Sequence, residues 1–172
     1  MKRFAIFSLI CCLGLVRLVC AETLTLSGPD VSADTMIRAA SPDSNFDFAF
    51  SQVIIQKNED KYLLRFDLSA LPEGATITSA SLEVTINRVW AAGPVTVRRV
   101  TESWSEFFAT WNSRDGVHAW SVPGGVSDSI NAAQLNVTTT GAVSFDVKDM
   151  LQGWSNGTPN YGFLMDIQAA AG

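Results

Sequence analysis

The sequence predicts an all-β fold, a jelly-roll-like antiparallel β-sandwich of about eight strands. Three observations predict it. Beyond an apolar N-terminal segment, no long stretch carries the 3.6-residue apolar period of an amphipathic helix. Short runs instead alternate apolar and polar residues or are rich in Val, Ile, Thr and Phe. Turn chemistry separates them, as at Ser41-Pro42-Asp43, Leu71-Pro72-Glu73-Gly74, Ala92-Gly93-Pro94 and Asn156-Gly157-Thr158-Pro159.

Taken in chain order, Thr23–Ser27, Thr35–Arg38 and Gln52–Gln56 are short strand candidates rich in Thr and aliphatic residues. In Lys61–Leu68, Tyr62, Leu64, Phe66 and Leu68 share one face, and Arg65 and Asp67 point the other way. Ser81–Asn87 repeats the pattern, with Leu82, Val84 and Ile86 inward and Glu83 and Thr85 outward. Val95–Val100 follows as a further strand. Between Thr101 and Asn136 alternation stops, and Trp104, Phe107, Phe108, Trp111 and Trp120 interleave with polar residues and Gly. So long a connection inside a compact domain reads as a functional loop that also carries structure of its own. Ala142–Lys148 places Val143, Phe145 and Val147 inward. Met150, Leu151 and Trp154 sit at helical spacing and predict one short helix over 149–154, before a last strand at Tyr161–Ile167.

The first residues read as an export signal. Lys2 and Arg3 form its charged start, Phe4 to Val16 its apolar stretch, and Val19-Cys20-Ala21 its small-residue cleavage site. The expected organisation is therefore a signal peptide at 1–21 and one domain at 22–172, secreted to the extracellular space or the periplasm. The apolar run is too short to span a bilayer comfortably, so no membrane association is expected after cleavage. Cys11, Cys12 and Cys20 all fall in the leader, so the domain itself must rest on packing rather than disulfides. Lys2, Arg3 and Arg17 fall there too, which leaves the domain three charges more acidic than the formal −5 of the whole chain. An acidic chain with scattered Arg and Lys lacks the footprint of a nucleic-acid binder. His118 is the only histidine, which excludes multi-histidine zinc sites.

A longer ordered series of residues narrows the reading. It runs Ala33-Asp34-Thr35-Met36-Ile37-Arg38, Asn45, Leu63-Leu64-Arg65-Phe66-Asp67-Leu68-Ser69, Leu71-Pro72 and Ala75 to Leu82. It continues through Val95-Thr96-Val97, Arg99-Val100-Thr101, Trp104-Ser105-Glu106, Thr110-Trp111-Asn112, Phe145-Asp146-Val147, Gln152-Gly153-Trp154 and Asn160-Tyr161-Gly162-Phe163-Leu164. The series resembles the DNRLRE domain, classed with disaggregatase-related proteins and with the ninety-sixth carbohydrate-binding module family, which includes alginate-binding examples. The resemblance implies a secreted β-sandwich with no catalytic residues of its own. Two departures stand out. Asp47 occupies the place where such domains carry Gly after the Asn, and the chain ends where they run on into another strand. A missing terminal strand implies an unpaired sheet edge open to another chain, and a truncated copy, a frameshifted product and a module completed by a partner are equally compatible with it.

The expected function is non-catalytic recognition of a polysaccharide, with an acidic uronate polymer such as alginate as the finer expectation. The alternative is a structural or adhesion module of a cell surface or matrix acting through protein contacts. A pyranose ring packs on indole, and Trp90 and Trp120, next to Gly-Pro and Pro-Gly-Gly turns, are the expected exposed stacking residues. Trp104, Trp111 and Trp154 read as interior. Arg38, Arg65, Arg98 and Asp146 are the expected polar ligand contacts, since Arg holds a carboxylate in a bidentate fork. With Glu83 and Asp166, the outward residues among them form one charged face if their strands are neighbours; mutually paired, solvated charges are the plainer reading. Asp34, Asp43, Asn45 and Asp47 supply oxygen donors to one loop. No cofactor is required, but a structural calcium ion there competes with Asx turn capping. Glu102 and Glu106 are a candidate carboxylate pair for glycosidase chemistry, but no recognisable acid and base set accompanies them, and the resemblance implies a structural place for Glu106. Asn136-Val137-Thr138 and Asn156-Gly157-Thr158 are glycosylation sequons in a host that uses them.

Overall fold

A computed structural model describes residues 5–10, 21–28, 31–47, 53–55 and 60–167. The strands are β1 (Ala5–Ile10), β2 (Ala21–Leu26), β3 (Val31–Arg38), β4 (Val53–Ile55), β5 (Asp60–Phe66), β6 (Thr76–Val89), β7 (Gly93–Arg99), β8 (Ala133–Val137), β9 (Gly141–Asp146) and β10 (Phe163–Ile167), with helix α1 (Lys148–Ser155) between the last two. They form two sheets. The first has the order β2-β1-β6-β4, with β9 also paired to β6; the second is β3-β5-β10-β7-β8. Pairing is antiparallel except between β4 and β6, which run parallel. The fold is the expected all-β sandwich.

Alternation explains which faces meet. Tyr62, Leu64 and Phe66 of β5, Val95 and Val97 of β7, and Phe163 and Met165 of β10 are buried in the core that contains Leu82, Val84 and Ile86 of β6 and Phe145 of β9. A side chain of this size contributes roughly 1.5–3 kcal/mol when fully buried. Along β6, Ile77 and Ala80 both lie in this core although their spacing is odd. The register shift opposite Ser8 and Leu9 inserts one extra residue in β6 and corrects the parity.

The expected short helix is α1. Met150, Leu151 and Trp154 are buried, and the Trp154 ring meets Phe163 edge to face at 4.9 Å. Gln152 ties the helix to the start of β6: its Oε1 accepts the Ile77 N–H at 2.9 Å and its Nε2 donates to the Ala75 carbonyl at 2.9 Å.

The second sheet buries both faces. Ala33, Ile37, Leu63, Val100 and Leu164 form a separate cluster with Trp104, Ala109 and Trp120, contributed by the connection between β7 and β8. That connection is a folded cover. Trp104 donates Nε1–H to the Tyr161 carbonyl at 2.7 Å, Trp120 donates to the Thr110 carbonyl at 2.9 Å, and Ser113 and Ala119 form an isolated bridge.

Two elements differ from expectation. β8 carries no readable alternation, because four of its five residues are exposed or half-buried at a sheet edge and only Val137 is buried. β1 lies inside the apolar N-terminal segment expected to be a leader, where it forms the strand between β2 and β6. β10, the expected last strand, is central in the second sheet, paired to β5 on one side and β7 on the other. Of the strand expected at Gln52–Gln56, Val53–Ile55 is present, and Gln52 and Gln56 lie outside the described residues. No helix among the described residues is long and apolar enough to cross a membrane.

Candidate functional site

The expected single charged face does not exist. Arg65 lies on β5, Arg98 on β7 and Asp166 on β10, all in the second sheet, whereas Glu83 and Asp146 lie on β6 and β9 in the first. Inward alternation on both sheets sends these residues to opposite sides of the sandwich.

On the second sheet most of the arginines are engaged by the protein. Arg38 holds Asp60 with two hydrogen bonds, Nε to Oδ1 at 3.0 Å and Nη2 to Oδ2 at 3.1 Å, and lies 5.1 Å from the Phe46 ring centre. Asp60 is 1% exposed, so its charge needs this partner and Arg38 is a structural counter-ion rather than a free ligand contact. Arg65 stacks over Trp104 at 5.2 Å beneath the loop cover. Arg98 pairs with Asp166 at 3.1 Å, both side chains about one-fifth exposed. Lys61 lies over the half-buried Trp111 ring at 4.9 Å and donates to the Gly124 carbonyl. Trp120 corrects a second expectation. It is 3% exposed despite its neighbouring Pro-Gly-Gly turn, because the loop folds it inward into the cluster that includes Leu63 and Leu164.

Trp90 remains exposed, at 61%. Arg88, also exposed, sits with its guanidinium 5.5 Å from the Trp90 ring centre. Sequence reasoning missed Arg88, although the signal was there: residues two apart at the end of a strand project from the same face. An indole with a guanidinium beside it offers an apolar ring surface and a fork-shaped cation together.

On the first sheet Asp146 is exposed at the junction of two adjoining depressions. One, of about 450 Å³, is lined by residues including Asn131, Gln134, Leu135 and Asp149; the other, of about 420 Å³, by Thr78, Ser79 and Ser81. Ser144, Asp146 and Lys148 belong to both. This groove presents hydroxyls, amides and both charge signs. Asp146 Oδ1 accepts the Lys148 backbone N–H at 3.0 Å.

Of the four loop residues, Asn45 and Asp43 engage the protein through their side chains, and Asp34 and Asp47 through their backbone N–H groups. Asn45 donates from Nδ2 to the carbonyls of Glu106 and Ala109 at 2.9 and 2.8 Å, while its Oδ1 accepts the Asp47 N–H at 3.1 Å, an Asx turn. Asp43 accepts from Asn112 Nδ2 at 2.8 Å. The Asp34 N–H donates to Glu106 Oε1 at 3.1 Å. Burial, together with the nearby Asp47 and Asp34 charges, pushes the Glu106 carboxyl above the usual carboxylate range against that hydrogen bond. Among the described residues no group of three His, Cys, Asp or Glu side chains is arranged to hold a metal ion. Glu102 is engaged elsewhere, accepting from the Ser121 hydroxyl and N–H.

A two-sheet sandwich hosts many functions, and its exposed aromatic and mixed polar surface is compatible with carbohydrate recognition. The model of carbohydrate-binding module family 96 matches residues 27–172, and the chain belongs to that family. No curated protein matches the sequence directly.

Proposed function

We propose that this module binds an acidic, uronate-type polysaccharide such as alginate, without cleaving it, and does so outside the cell after export. Trp90 with Arg88 carries the reading: the indole receives the apolar face of a pyranose ring and the guanidinium faces the ring's carboxylate. Arg98 and Asp146 are secondary contacts on opposite faces. Affinity electrophoresis in gels holding alginate or a neutral glucan tests this. Trp90→Ala and Arg88→Ala are each expected to weaken alginate retention by about tenfold, equivalent to ~1.4 kcal/mol. Unchanged retention in both variants, or equal retention of the parent by the neutral glucan, overturns the uronate reading.

A further inference from the structure

We propose that the depression of about 650 Å³ beside Glu102, Ser103, Arg114, Val117, His118 and Ser121 is a second saccharide site that takes the vicinal hydroxyls of one sugar unit. It rests on the reading of the chain as a polysaccharide binder, and it lies in the loop cover, away from Trp90.

The turn that builds it is preorganised. Ser113 and Ala119 pair across it, and Gly116 takes φ +82°, a conformation that favours glycine. Asp115 Oδ1 accepts the N–H groups of Val117 at 3.0 Å and His118 at 2.7 Å, and its Oδ2 contacts His118 Nδ1 at 2.9 Å. These bonds hold the Asp115 carboxyl well below the usual range, so it is an acceptor and the Nδ1 carries the proton. His118 Nε2 is thereby left for a ligand.

Two more side chains are held in place with capacity to spare. Arg114 donates from Nη1 to the carbonyl and hydroxyl of Ser103, at 3.1 and 2.8 Å, and the same nitrogen lies 3.9 Å from Asp115 Oδ2, which leaves Nε and Nη2 for a ligand. Glu102 is fixed by the Ser121 hydroxyl and N–H, and a carboxylate has about four acceptor positions. The depression thus sets a carboxylate acceptor against guanidinium and imidazole groups, with Val117, 83% exposed, as an apolar edge. A vicinal diol both donates and accepts, which matches this set. A lone carboxylate matches it less well, because Glu102 and Asp115 repel it.

β7 separates this site from Trp90: Trp90 precedes its first residue and Glu102 follows its last. At about 3.3 Å per residue the strand spans on the order of 20 Å, so two contacts on a polymer act as linked sites.

His118 is the sole histidine, so its imidazole Hε1 resonance reports on this depression alone. An alginate oligosaccharide and a neutral glucan oligosaccharide are titrated separately into the full chain, with calorimetry in parallel. The expected result is a saturable shift of that resonance by at least one sugar. Glu102→Gln and Arg114→Met are expected to weaken it at least fivefold. Val117→Glu, which leaves the turn's hydrogen bonds in place, tests the same edge if either variant fails to fold. Saturating heat with an unmoved His118 signal overturns the second site and leaves the polysaccharide reading intact. Neither heat nor shift with any sugar overturns both.

Discussion

Glu106 joins two loops by opposing effects. Its carbonyl and carboxylate receive Asn45 and the Asp34 N–H, yet Asp34 and Asp47 crowd it with like charge. Burial and crowding favour the protonated form, so the folded chain binds more protons than the unfolded one just above the ordinary glutamate pKa. The group's stabilising contribution is complete at lower pH and is lost as pH rises through its raised value. Glu106→Gln keeps an acceptor for Asp34 and removes the charge. Its melting temperature is expected to exceed the parent's at pH 7 and to match it near pH ~4. A variant less stable at both pH values would show that the ionised carboxylate is needed for the Asp34 bond. At this scale the sequence disclosed residue type but not engagement. Arg38 and Arg65 were read as ligand contacts, but Asp60 and Trp104, distant in sequence, claim them.

At the scale of elements, strands whose alternate residues enter the core were readable, as in β5, β6 and β9. β8 was not, because an edge strand exposed over most of its length has no inward set to betray it. β1 is the element with the most at stake. It pairs with β2 through Ala21–Leu26 and with β6 through Thr76–Leu82, so removing residues 1–21 leaves both without that partner. Unpaired strand edges recruit other chains. A protein of residues 22–172 is therefore expected to elute partly as dimers or larger species in size-exclusion chromatography, and a peptide of residues 4–11 is expected to return it to monomer. A monodisperse monomer as stable as the full chain would show that β2 pairs with β6 directly.

For the whole molecule, charge opposes the proposed ligand. The chain carries a formal −5, and a uronate polymer is a polyanion, so long-range encounter is repulsive while the contact at Arg88 is attractive and local. Screening lengths fall from about 30 Å at 0.01 M salt to about 8 Å at 0.15 M. The association rate with alginate is expected to rise as salt increases over this range, measured by stopped-flow tryptophan fluorescence. A rate that falls with salt would mean that a basic surface steers the encounter.

By itself the sequence determined the sandwich, most of its strands, the short helix and the family, because these rest on local periodicity, turn chemistry and an ordered series of residues. It also determined that Trp90 would be exposed. Only the tertiary structure decided which polar residues share a surface. Two sheets packed face to face send outward residues in opposite directions, which separated Arg98 from Asp146. The folding of residues 101–127 over the second sheet decided the fate of Trp120, because the apolar outer face formed by Ile37, Leu63 and Leu164 had to be covered. The same cover brought Glu102, Arg114 and His118 around one depression, a grouping that no spacing along the chain encodes.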